Sequence, residues 1–179
     1  MNNETIRKLR ATVAEKYSAE AGCRFASEGE IKAAELKIGF HLWPCHKLIL
    51  SKVSNGGFGP GEGLIGVGET NQGAEHELVE VWESHLDTRM RKELKILPLC
   101  DWGAGVWSWI DCQTGEVLTF SEFGLYAIGV DFEGWITAWS DGHDWWDDML
   151  DVETNQTSGT ASSKITRYLG NKGRPIIRF

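Results

Sequence analysis

Apolar positions along the chain follow two periods, and the change between them divides it. Ile6, Leu9, Val13 and Tyr17 recur at three- and four-residue steps among Arg, Lys and Glu, which predicts a surface helix over residues 4–19 with one buried stripe. Ser27 and Glu30 have the S-x-x-E spacing of a capping box, so a second helix starts there, carries Ile31, Ala34, Leu36 and Ile38, and ends at Gly39. Trp43-Pro44 opens a third, because proline in a first turn gives up no hydrogen bond; Leu48, Ile49 and Val53 supply its buried stripe and Asn55-Gly56-Gly57 ends it. A fourth helical segment, over residues 74–93, places Leu78, Val81, Trp82, His85 and Leu86 on one face.

The shorter period takes over between these helices and the next. Residues 55–68, NGGFGPGEGLIGVG, read as a Gly-rich loop leading into a strand at Leu64, Ile65 and Val67. Lys95–Leu99, Gly105–Asp111 and Glu116–Phe120 read as strands, with Gln113-Thr114-Gly115 as a turn, and together predict an antiparallel meander. Within it Trp107 and Trp109 share one face, with Val106, Ser108 and Ile110 on the other, so a sheet covered on one side only would expose an apolar patch. Helical spacing returns at Phe132, Trp135, Ile136 and Trp139 and closes at Gly142. Helices, then strands, then a helix, with no repeated βαβ unit, is an α+β order.

Composition bounds this picture. At 179 residues, with a hydrophobic fraction of 41% and nine Trp, the chain fits one domain with a real core. The N-terminus has no apolar signal segment, and no stretch approaches the roughly 20 apolar residues of a membrane span. A cytoplasmic protein is expected, its four cysteines reduced. The net charge of −8 argues against direct contact with nucleic acid, which demands a basic face, and for a basic protein partner. The organisation read is an N-terminal helical extension over 1–26, a domain over 27–153, and a polar linker with a basic tail over 154–179.

Four separated motifs carry a resemblance: EGEIKAAELKIGFHLWP, SNGGFGPGEGLIGV, LPLCDWGAGVWSWIDC and FEGWITAWSDG. In this order, over about residues 28–150, they are similar to the SUKH superfamily, whose founding members include the yeast cell-wall assembly regulator. The resemblance implies a single α+β domain, with N-terminal helices packed on a largely antiparallel mixed sheet and a further helix after the strands. It implies a binding module without catalytic machinery or cofactor. Many bacterial members look like immunity proteins that occlude toxin domains encoded beside them. A scaffold or regulatory adaptor for an endogenous protein is the alternative.

The candidate recognition residues lie in the stretch from Asp131 to Glu153, which holds eight acidic residues and no Lys or Arg. Asp141, Asp144, Asp147, Asp148 and Asp151 would steer a basic partner, with Trp145 and Trp146 as desolvated anchors. Two other readings weigh against it: the Trp residues belong to the core, and the basic tail folds back on the acids. The Gly-rich run lacks the P-loop order and reads as a turn that brings backbone against an aromatic such as Trp102 or Trp107. Cys45-His46 with Cys100 and Cys112 lacks the C-x-x-C spacing of a zinc site, and the aspartates around His143 lack a calcium-loop pattern, so no metal is expected. A hydrolase would need Cys100 beside His41, His46 or His85, and Cys100 instead reads as buried core.

Overall fold

The computed structural model describes residues 1–17, 24–69, 76–122, 124–146, 148 and 174–178. Helices α1 (Asn3–Lys16), α2 (Glu28–Ile38), α3 (Pro44–Lys52), α4 (Leu78–His85) and α5 (Thr88–Glu93) precede four strands: β1 (Ile96–Asp101), β2 (Trp107–Asp111), β3 (Glu116–Ser121) and β4 (Gly124–Asp131). Helix α6 (Phe132–Ser140) follows, and β5 (Arg174–Arg178) ends the described chain. The strands form one antiparallel sheet in the order β1-β2-β3-β4-β5, an α+β architecture in which the described strands include no parallel pair.

Local chemistry places the helices. Ser27 Oγ accepts the Glu30 N–H while Glu30 reaches back to the Ser27 N–H, completing the capping box, and Gly39 ends α2 in the left-handed region. Ile31, Ala34 and Ile38 are buried, but Leu36 is 84% exposed. At 100° per residue Leu36 sits about 140° from the Ile31 direction, so it cannot share that stripe. Helix α1 has the buried stripe its spacing predicts: Leu9 and Val13 are buried and the helix packs on α6.

Four expectations are corrected. Residues 78–93 form two helices, because the Asp87 carboxylate caps a new one by accepting the Met90 N–H at 2.7 Å. Residues 64–67 make no strand, only an isolated bridge between Gly66 and Glu77, although Glu62 and Ile65 donate N–H bonds to Asp101 and Leu99 along the outer edge of β1. Strand β4 lies in a segment for which the sequence pattern raised no strand. The end of the basic tail is β5, which among the described residues is an edge strand of the sheet, a position that tolerates Pro175. Residues 154–173, including the polar linker, lie outside the described residues.

The core leaves no apolar patch on β2. Trp107, Trp109, Val106, Ser108 and Ile110 are all buried, so both faces of this strand are covered. On the Trp face, His85 of α4 packs on Trp107 with ring centroids 4.5 Å apart. Among the described residues, no helix is long and apolar enough to cross a membrane.

Candidate functional site

The Gly-rich loop is held by Asn55. This fully buried side chain donates to the carbonyls of Val67 (2.9 Å) and Glu69 (3.0 Å), and its Oδ1 accepts the Val67 N–H at 3.0 Å. One amide thus supplies the donors and the acceptor that a paired strand would, which stitches residue 55 to residues 67–69 across the loop. At the tip the chain runs against β1. Gly61 has φ +59°, and a Cβ there would run into the Asp101 carbonyl and lie 3.3 Å from the Trp102 ring. The aromatic that the loop approaches is therefore Trp102.

This contact forms one wall of a cleft of about 280 Å³. Gly59–Gly61 and Trp102 face Trp139, His143, Asp144 and Trp145 across it, and Lys16 of α1 closes it, its ammonium 4.7 Å from the Trp139 ring centroid. Tyr17 beside it bonds the Gly59 backbone through its hydroxyl, accepting the N–H at 3.3 Å. Segments more than a hundred residues apart in the chain meet here, including the helix expected to be an extension.

The expected recognition residues divide. Trp145 is buried and donates its indole N–H to the Trp135 carbonyl at 3.0 Å, so its ring belongs to the core side of the cleft. Trp146 is half-buried, and its ring lies 5.9 Å from that of Trp102, whose indole donates to Ser108 Oγ at 2.8 Å. Asp144 is exposed and accepts the Trp146 N–H at 2.9 Å, fixing the turn that presents that ring. Asp141 pairs with Lys8, and Asp148 bonds His143 Nε2 at 2.8 Å. Asp147 and Asp151 lie outside the described residues. In the tail, Arg174 pairs with Glu116 at 2.6 Å.

The larger concavity, about 660 Å³, lies beside α2 between Leu36, Phe40, His41 and Gln113. Its carboxylate, Glu35, is already committed: it pairs with Lys47 (2.5 Å) and His41 (3.0 Å) and accepts the Leu42 N–H at 2.9 Å. Burial alone would raise this carboxyl, but those partners hold it below the ordinary range. Burial pushes the thiols of Cys45 and Cys112 up to about 12 and that of Cys100 higher still, leaving little thiolate near neutrality. His46 is fully buried edge-on to Phe132 at 5.3 Å, and burial pushes its imidazole down to about 4.

No protein-family model, curated protein or solved structure matches the chain.

Proposed function

We propose that this chain is a non-catalytic protein-binding module of the SUKH type, acting in the cytoplasm as an immunity protein that occludes a basic toxin domain. The observation that carries the reading is the rim of the cleft, where the half-buried rings of Trp102 and Trp146 lie together beside the exposed carboxylate of Asp144. Tryptophan is enriched among the residues that dominate binding energy, and a neighbouring carboxylate steers a basic partner toward it. The net charge of −8 supports the same polarity of partner. Asp141 and Asp148, engaged by Lys8 and His143, contribute less to steering than their number suggests, since paired surface charges offer little to an incoming group. The high thiol pKa values weigh against a cysteine hydrolase.

The test is whether a gene adjacent to this one encodes a secreted protein with a toxic C-terminal domain, whose absence favours an endogenous partner, followed by co-expression of the chain with that domain. Growth rescue together with a stable co-purified complex is expected. Toxicity that persists at full expression of the folded chain, with no complex, rejects immunity and leaves an endogenous partner as the alternative.

A further inference from the structure

Beyond the acidic rim, a second group of side chains converges from three parts of the chain. A carboxylate oxygen of Glu62, a ring nitrogen of His76 and a carboxylate oxygen of Asp101 all lie within 4.8 Å of one another. The three segments that carry them are tied to one another. The Glu62 N–H donates to the Asp101 carbonyl at 2.9 Å, which ties the tip of the Gly-rich loop to the end of β1. Leu78 donates to the Gly66 carbonyl at 2.9 Å and Gly68 to Glu77 Oε1 at 3.1 Å, which fixes the chain entering α4, where His76 sits. The His76 ring packs on Trp107 at 5.6 Å, and Trp107 is the cross-strand partner of Asp101. Directly opposed residues of an antiparallel pair project to the same face, so this packing holds the imidazole over the Asp101 side chain.

We propose that Glu62, His76 and Asp101 bind a divalent transition-metal ion of the zinc type. One imidazole nitrogen and two carboxylate oxygens are donors that zinc accepts, and three protein donors leave the fourth tetrahedral position open. Metal–ligand bonds near 2.1 Å put tetrahedral ligands about 3.4 Å apart, so the three donors close on the ion by side-chain rotation of about 1 Å. Glu62 is exposed and the other two are half-buried, so the open position faces solvent, where water or a donor group from a partner completes the shell. Glu62 follows Gly61 and Asp101 precedes Trp102, so the ion sits beside the cleft and stiffens the loop that walls it. The proposal stands whether or not that cleft docks a toxin.

Titration of the full-length chain, under reducing conditions, with Zn²⁺ and separately with Mn²⁺ tests it calorimetrically. Zn²⁺ is expected to bind one to one, and each of Glu62→Gln, His76→Gln and Asp101→Asn is expected to weaken it tenfold or more, at least the loss seen when a supporting residue of a metal site is changed. Asn at 101 retains an oxygen for the Gly103 N–H that Asp101 now accepts at 2.8 Å, so the loop keeps its fold. Unchanged apo melting temperatures of the variants verify this. His41→Gln, at an exposed histidine elsewhere, should bind as the parent does. A Co²⁺-loaded parent should show no thiolate-to-metal absorption. Absence of saturable binding by either metal, affinity indifferent to all three substitutions, or a thiolate signature would each overturn the assignment.

Discussion

Replacing Asn55 with alanine removes the acceptor of the buried Val67 N–H and the donors to two carbonyls in one step. With a buried group left unpaired costing about 1–3 kcal/mol, Asn55→Ala should lower the unfolding free energy by at least about 2 kcal/mol in urea titration; a loss below about 0.5 kcal/mol would mean that water replaces the amide without cost. A pair of glycines separates two costs in the same assay. Gly103→Ala meets open space and carries only the left-handed backbone cost of about 1–2 kcal/mol, whereas Gly61→Ala adds collision with the Asp101 backbone and should lose clearly more. Equal losses would place the loop tip away from β1. Asn55 was legible only as a helix terminator, because its partners lie 12 and 14 residues further on and leave no local period. Leu36 shows the reverse: its exposure is set by local geometry, the angle that turns it away from Ile31, and not by its apolar type.

At the level of elements, α2 and α3 couple stability to acid in two different ways. The Ser27 hydroxyl, the Arg24 guanidinium and the Ser27 backbone N–H hold Glu30 down to about 2 from 4.5. That stabilisation is complete above about pH 4.5 and is lost as pH falls toward 2. His46 on α3 is depressed by burial from 6.5 to about 4, so the unfolded chain takes up the proton first and stability declines as pH falls from 6.5 to 4. His46→Leu should therefore flatten the melting temperature between pH 6.5 and 4.5, above the window in which Glu30 acts; a parent profile already flat there would refute the burial of this ring. Removing residues 174–179 strips β5 from the sheet and uncovers the backbone edge of β4, so the truncated chain should melt lower and aggregate on heating. Arg174→Ala alone, which removes a partly exposed ion pair, should cost no more than about 1 kcal/mol. The helices with caps and the β1–β3 meander could be read from the sequence because their signals are local. Strand β5 could not, since Pro175 and a run of basic residues imitate a tail until the sheet order makes that segment an edge.

Across the whole molecule, a cleft draws together α1, the Gly-rich loop, the end of β1 and the turn after α6. The sequence located one side of it, through the local density of Asp and Trp around residue 144, and expected either Trp102 or Trp107 near the glycines, of which Trp102 is the one in contact. It could not place Lys16 or sort Trp145 from Trp146, since that depends on which ring finds the Trp135 carbonyl. Recognition through this rim makes separable kinetic demands on its members. The carboxylate acts during approach and the ring after contact, so charge reversal should act chiefly on association, with a smaller rise in dissociation from loss of the Trp146 N–H bond to Asp144, and ring truncation on dissociation. The decisive measurement is the binding kinetics of a toxin domain identified by the adjacent-gene test with the parent chain, Asp144→Lys and Trp146→Ala, each checked to be folded by circular dichroism. The account predicts nanomolar-range binding by the parent, slower and less salt-sensitive association for Asp144→Lys, and dissociation about 30-fold faster for Trp146→Ala, the loss expected of a 2 kcal/mol hot spot. Rates identical for all three proteins, or no binding by the folded parent, would contradict it.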